Sequence, residues 1–324
     1  MIKTIPAIII WAWLFVKFNP ISFFGVCASL LGAIVSVKVS LAVGLYVWEQ
    51  CFMKQLDLVQ RYGRDSWAVI TGGSDGIGLA IAEKLAEAGI NVVLVARNEQ
   101  KLKEKVKKLT AAYKVKVQYR VADFSKGVSP EFYTELYSTM KDLDVSILVN
   151  NVGIGGSVFL DCDAQSCLDQ GIVNMVPQFM MTKVFLNHFR ARSTKSAVID
   201  MSSLGGLNEF WDSCLYGATK SFTRAFSQSM QEKFGAEYGI DFLVIKPGFT
   251  LTDMFSSKER FGNSGNGLTV FTTTECAMGA LKALGNVWET YGIHSMIVAF
   301  VDAFIWMSPA IQITQICKVL GLKK

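Results

Sequence analysis

The stretch Trp67-Ala68-Val69-Ile70-Thr71-Gly72-Gly73-Ser74-Asp75-Gly76-Ile77-Gly78-Leu79-Ala80 restricts the fold more than any other part of the chain. A short apolar run ends in a glycine-rich turn and passes straight into a helical pattern, with Ile77, Ile81 and Leu85 on one stripe. Glycines let the backbone turn sharply and approach a pyrophosphate, which then sits on the amide dipoles of a helix N-terminus. The spacing is T-G-x-x-x-G-x-G, not the G-x-G-x-x-G of the commoner dinucleotide fingerprint. From Ser66 onward, short apolar runs alternate with helical patterns. The candidate strands are Ala68–Thr71, Asn91–Ala96, Val115–Val121, Val145–Val149, Ser196–Met201 and Asp241–Ile245. This βαβ alternation predicts an α/β fold, a doubly wound parallel sheet with helices on both faces.

A second feature points to chemistry. Tyr216-Gly217-Ala218-Thr219-Lys220 places a phenol and an ammonium four residues apart, on one face of a helix. An ammonium close to a phenol favours the phenolate, so Lys220 is expected to lower the Tyr216 pKa toward the range of a general acid–base catalyst. Ser203, in Met201-Ser202-Ser203, would bring a hydroxyl to the same substrate oxygen from a strand end. At the end of the second strand, Arg97 in Ala96-Arg97-Asn98 stands where an acid would bind a ribose 2′-hydroxyl. Arginine suits a 2′-phosphate instead, as a bidentate partner for an anion, which predicts NADPH as the cofactor.

In these motifs the chain resembles the short-chain dehydrogenase/reductase family. Further stations match in order: Val121-Ala122-Asp123, Leu148-Val149-Asn150-Asn151-Val152-Gly153, Asn174, and Lys246-Pro247-Gly248 followed by Thr252. Within the family the chain is most similar to membrane-bound very-long-chain 3-oxoacyl-CoA reductases, also described as 17β-hydroxysteroid dehydrogenase type 12-like proteins. The resemblance implies that Tyr216 protonates the carbonyl oxygen as hydride arrives. It implies that Lys220 holds the nicotinamide ribose, that Ser203 polarises the carbonyl, and that Asn174 holds a water behind the lysine. It also assigns the cofactor to Thr71, Gly72, Ser74, Asp75, Gly76, Ile77, Gly78, Arg97, Asp123, Asn150, Asn151, Val152, Gly153, Pro247, Gly248, Thr250 and Thr252, together with Tyr216 and Lys220. In that assignment Asp123 approaches the adenine and Asn150 the adenosine ribose. A homodimer is a further expectation by resemblance.

Composition narrows the alternatives. The chain is 51% hydrophobic with mean hydropathy +0.33, and the excess lies at its two ends, which argues for membrane contact. Ile5 to Phe18 is apolar but short; Ile21 to Trp48, broken at Lys38, is long enough to span, as a hairpin or as two tilted segments. Lys54, Arg61 and Arg64 follow and favour a cytosolic catalytic domain. The expected organisation is thus a membrane anchor over residues 1–50, a dinucleotide-binding domain over 51–290 and an apolar helical tail over 291–324. The tail would touch the membrane or a partner. The endoplasmic reticulum is the expected membrane and a mitochondrial membrane the alternative.

Seven cysteines without C-x-x-C pairing suggest reduced thiols. With only His188 and His294, neither a zinc site nor a Ser-His-Asp triad is expected. A net charge of +5 carries no basic stripe for nucleic acid, and Lys101-Leu102-Lys103-Glu104-Lys105-Val106-Lys107-Lys108 reads as a solvated helix face. Residues 249–274 are either a substrate lid or a loose surface loop. The substrate is a lipid carbonyl, a 3-oxoacyl-CoA or a 17-ketosteroid, with Lys246, Lys258 or Arg260 available for CoA phosphates. A reductase fold retained as a non-catalytic subunit of a membrane complex is the reading from a different class.

Overall fold

A computed structural model describes residues 25–34, 36, 37, 40, 44, 52–155, 159–204, 214–252, 270–287, 289 and 290. The chain divides into two units: Glu49–Val298, and Met1–Trp48 together with Ala299–Lys324. In the second unit, residues 25–34 are helical, and Val26, Leu30, Leu31 and Ile34 are exposed. Among the described residues, no helix is long and apolar enough to cross a membrane. The first apolar run, most of the second, residues 253–269 of the lid candidate, and the C-terminal tail lie outside the described residues.

The larger unit follows the predicted alternation. After α1 (Leu58–Tyr62) come β1 (Trp67–Thr71), α2 (Gly76–Glu87), β2 (Asn91–Ala96), α3 (Glu99–Ala112), β3 (Val117–Val121) and α4 (Pro130–Ser138). Then come β4 (Val145–Asn150), α5 (Ala164–Ala191), β5 (Ser196–Met201), α6 (Cys214–Met230) and β6 (Ile240–Ile245). Two short strands, β7 (Phe249–Thr250) and β8 (Val270–Phe271), pair with each other; α7 (Thr273–Ala283) and β9 (Glu289–Thr290) complete the unit. The main sheet has the order β3-β2-β1-β4-β5-β6-β9 and is parallel at every described pairing.

Burial explains why these segments are strands. Every residue of β1, β2, β4 and β5 is buried, as strands covered by helices on both faces must be. One core, with Ile81, Leu85, Leu102, Leu109, Ala277, Ala280 and Leu281, lies under α2, α3 and α7. The other, with Tyr133, Leu136, Met181, Phe185 and Phe189, lies under α4 and α5. At the start of β6, Asp241 accepts two hydrogen bonds from the Arg61 guanidinium, at 2.6 and 2.9 Å, and one from the Tyr62 hydroxyl at 2.9 Å. That cluster ties α1 to the sheet. The chain order reverses between β1 and β4, so their carboxyl ends frame the crevice where a parallel sheet of this kind binds its ligand.

Candidate active site

The glycine-rich turn follows β1 at that crevice. Gly72 has φ +64°, a conformation that costs glycine nothing and other residues a clash. Gly78, in the first turn of α2, is needed for a different reason. A Cβ there would lie 2.3 Å from Asn151 Nδ2 and 2.7 Å from the Gly72 carbonyl oxygen. The Asn151 amide donates to the carbonyls of Thr71 at 3.0 Å and Gly72 at 3.2 Å, locking the turn to the end of β4. Thr71 Oγ1 donates to the Val149 carbonyl and accepts from the N–H groups of Asn151 and Val152, at 3.0 to 3.1 Å. Asp75 caps α2, accepting from the Gly76 N–H at 2.7 Å. Ser74, Gly76 and Ile77 are partly exposed along the same turn, and Thr252 approaches it, its Cγ2 3.5 Å from where a Gly76 Cβ would stand. A tight turn, a helix N-terminus and a backbone that admits no side chain together fit a dinucleotide pyrophosphate.

At the end of β2, Arg97 is exposed. Asp123, after β3, accepts from the Ser125 hydroxyl at 2.8 Å and the Ser125 N–H at 3.2 Å. The Ser125 contacts first, then Lys126 and Arg97, hold its carboxyl below the ordinary range. Asn150 differs from the sequence expectation that it reaches the adenosine ribose. Its carboxamide points into the core, donating to Asp200 Oδ1 at 2.9 Å, Thr182 Oγ1 at 3.1 Å and the Gln178 carbonyl at 3.3 Å. A strand residue faces one side only, and here the neighbour Asn151 has the cleft-facing position.

The remaining residues meet at the ends of β4 and β5 and along α6. Tyr216 and Lys220 lie one helical turn apart; the Lys220 ammonium is 5.7 Å from the Tyr216 ring centroid. Ser203 hydrogen-bonds the Tyr216 phenol. A Cβ at Gly153 would stand 3.4 Å from Lys220 Nζ and 3.2 Å from Asn174 Oδ1, so all three converge. The Asn174 side chain grips Ile154 from both ends, accepting from its N–H at 2.8 Å and donating to its carbonyl at 3.1 Å. It also donates to Thr219 Oγ1 at 3.2 Å. This amide is therefore committed to fixing the loop after β4. Within the same helix Pro177, lacking an N–H, leaves the Val173 carbonyl without its i+4 donor. Pro247 accepts at its carbonyl from the Leu204 N–H at 3.0 Å, Gly248 packs against Leu204, and Thr250 Oγ1 donates to the Gly248 carbonyl at 3.2 Å. Val152 is partly buried against the α5 core.

Electrostatics corrects the expected role of Lys220. Its ammonium donates to the Met201 carbonyl at 2.9 Å, and burial pushes its pKa down to about 8. Tyr216 is not lowered. Burial raises it, and the contact that pulls it down is the Ser203 hydroxyl. A fully enclosed lysine turned to a main-chain carbonyl gives up part of its own proton affinity before it can stabilise a phenolate.

A buried acid that motif spacing did not single out lies just below. Asp200 in β5 has no exposed surface, and burial raises its pKa to about 6 against the contacts from Asn150, Ser227 and Gln178. The available signal was a single acid in the apolar run Ser196–Met201. Because the folded value lies above the unfolded one, its stability contribution is full below about pH 4 and is lost as pH rises through about 6. Asp200→Asn should therefore flatten the fall in stability over that window, an effect on the order of 3 kcal/mol. Chemical denaturation at both ends of the window checks it; equal slopes for both proteins would refute the assignment.

Lys246, offered by the sequence as a ligand for CoA phosphates, is buried instead. Its ammonium pairs with Glu289 at 2.9 Å, and Arg224 pairs with the same carboxylate. Against burial, these two cations hold Glu289 below the ordinary carboxylate range. Lys258 and Arg260 lie outside the described residues. Among the described residues, no cluster of three or more metal-ligating side chains occurs.

The family model for short chain dehydrogenase matches residues 66–262. The chain is 34% identical over 205 residues to hydroxysteroid dehydrogenase-like protein 1 of Gallus gallus, covering 62% of this chain and 60% of that protein. To the Homo sapiens protein named inactive hydroxysteroid dehydrogenase-like protein 1 it is 35% identical over 201 residues, covering 61% and 59%. The chain thus spans about three fifths of the length of these relatives. To very-long-chain 3-oxoacyl-CoA reductase of Macaca fascicularis it is 30% identical over 272 residues, covering 81% and 84%. Among solved structures, a 7beta-hydroxysteroid dehydrogenase superposes with TM-score 0.65 at 24% identity, covering 78% of this chain and 95% of that one. A short-chain dehydrogenase from Sphingobium yanoikuyae in complex with NADPH superposes with TM-score 0.60 at 24% identity, covering 67% and 84%. At these identities the two structures speak for the fold.

Proposed function

The chain belongs to the short-chain dehydrogenase family of nicotinamide-dependent oxidoreductases, and from that premise we propose that it reduces a lipid carbonyl with NADPH at a membrane surface. The observation that carries this reading is the convergence of Ser203, Tyr216 and Lys220 beside a glycine turn built for a pyrophosphate. The cofactor, when bound, supplies the hydride. Tyr216 donates its proton to the carbonyl oxygen, and Ser203 fixes the direction of that hydroxyl. Lys220, whose pKa burial brings down to about 8, restores the proton and anchors the ribose. Asn174 keeps the loop after β4 closed against α5.

The long-chain 3-oxoacyl-CoA is the preferred substrate, because the similarity to proteins named for that reaction extends over 81% of this chain. The exposed apolar residues Val26, Leu30, Leu31 and Ile34 support a membrane-facing helix. A second reading, a non-catalytic reductase fold, is favoured by the relative named inactive; the intact Ser203, Tyr216 and Lys220 of this chain weigh against it.

The test is cofactor oxidation by carbonate-washed membranes and by detergent-purified protein, with a long-chain 3-oxoacyl-CoA and with a 17-ketosteroid. We expect turnover of the acyl-CoA, retention in the washed membranes, and a preference for NADPH over NADH of at least about tenfold, or about 1.4 kcal/mol. Silence with both substrates, in protein that still binds NADPH, would move the reading to the non-catalytic subunit. Activity released into the wash would refute the membrane attachment.

A further inference from the structure

Two thiols meet at the start of α5. Asp163 caps this helix: one carboxylate oxygen accepts from the Ser166 N–H at 2.9 Å and the other from the Ser166 hydroxyl at 2.6 Å. The Cys167 N–H donates to the Asp163 carbonyl at 3.1 Å, closing the first turn. Cys162 therefore stands just before the cap, and Cys167 is the fourth residue of the helix. At a capped N-terminus the side chains of those two positions fold against each other, ordinarily as an apolar pair. Here both are cysteines, and their thiols are in hydrogen-bond contact. That contact holds the Cys162 thiol above its ordinary range. Neither thiol is enclosed: both residues are partly exposed, with Phe159, Leu160 and Leu168 exposed on either side in the chain. Cys276 is the opposite case, enclosed in the core, where burial pushes its thiol up to about 12. A buried thiol of that kind is inert; an accessible pair in contact is not.

We propose that Cys162 and Cys167 are a reversible modification site, closed into a disulfide by exchange with a low-molecular-weight disulfide of the glutathione type. One protein thiolate attacks a sulfur of that reagent and expels its other half as a thiolate, leaving a mixed disulfide. The second protein thiolate then attacks the protein sulfur of the mixed disulfide and expels the remaining half. The two thiol protons pass to the two expelled thiolates, so one protein disulfide and two reagent thiols result. The cysteines are oxidised and the reagent is reduced. Asn174, about 10 Å further along α5 from Cys167, holds the other end of the β4–α5 connection at Ile154. Oxidation would thus pin the far end of a connection whose near end is already fixed, leaving Ser203, Tyr216 and Lys220 unmodified. The inference stands independently of the cofactor and substrate readings.

The test equilibrates reduced, full-length protein with mixtures of glutathione and glutathione disulfide. Free thiols are then alkylated, the chain is unfolded and cleaved before Asp163, and the peptides are weighed by mass spectrometry. Cleavage there separates Cys162 from Cys167, so a bridge shows as two peptides joined until reductant is added. We expect that joined pair in oxidising mixtures, and both cysteines open to alkylation again after dithiothreitol. Cys162→Ser and Cys167→Ser each remove the resolving partner, so the remaining thiol should hold at least about tenfold more glutathione than in the wild type. Both thiols alkylated in every mixture would overturn the proposal, as would a bridge from either one to a different cysteine. So would wild-type protein that carries as much bound glutathione as the single variants, because the contact would then not resolve the mixed disulfide.

Discussion

Tyr216→Phe is expected to lower kcat about 10³-fold, or about 4 kcal/mol in barrier, while NADPH affinity stays within about twofold. The substitution removes one hydroxyl and keeps the ring that packs beside Lys220, so the helix and the cofactor cradle have no reason to move. What is lost is the proton donor and the Ser203 partner. The size of the effect follows from the absence of a substitute. The Lys220 ammonium is held by the Met201 carbonyl, and the Ser203 hydroxyl is a far weaker acid than a phenol. Single-turnover measurement of NADPH oxidation under saturating cofactor separates the chemical step from binding. A phenylalanine variant within tenfold of the wild-type rate would remove Tyr216 from the proton-donor role.

The second large effect belongs to Gly78. Gly78→Val would drive a branched side chain into Asn151 Nδ2 and the Gly72 carbonyl, both under 3 Å from the position of Cβ. The carbonyl is backbone and cannot swing away; the amide can do so only by giving up its bonds to Thr71 and Gly72. Overpacking costs about 1–3 kcal/mol and each broken buried hydrogen bond about 1 kcal/mol or more. A loss of about 3–5 kcal/mol is a large share of the stability of a typical domain. Urea denaturation should show the midpoint falling, and NADPH titration should show no measurable binding even where the protein stays folded. A valine variant of unchanged stability would show that the close approach of turn and Asn151 is not required.

Much of this architecture was legible because its elements repeat one simple pattern. Asn91–Ala96 and Ser196–Met201 could be bounded correctly from their apolar runs and flanking polar residues. Val115–Val121 begins two residues later as a strand, because the Lys116 N–H is taken by the Asn91 side chain before the ladder starts. Strands β7, β8 and β9 were not foreseen. Each is only two residues long, and β9 carries a glutamate that finds its reason in Arg224 and Lys246, distant in the chain.

The site shows the same division. The Tyr216/Lys220 spacing is a helix-surface rule and could be read locally. The inward turn of Asn150 could not, because a strand buried on both faces carries no polar–apolar alternation to give its sides away. Nor could the Lys220 contact to Met201, which depends on how α6 settles on β5. The basic run of α3 looked uniform, and only the position of the Asp75 cap distinguishes Lys101 from its neighbours.

The smallest strand sets a rule for anyone cutting the gene. Thr290 accepts the Lys246 N–H at 2.7 Å, and Glu289 neutralises a lysine side chain that is 4% exposed. A shortened version ending before these residues would strip the counter-charge from an enclosed ammonium and bare the edge of β6 to other molecules. Expression trials that aim to shed the apolar tail should therefore keep every residue through Thr290, and place any fusion tag beyond it.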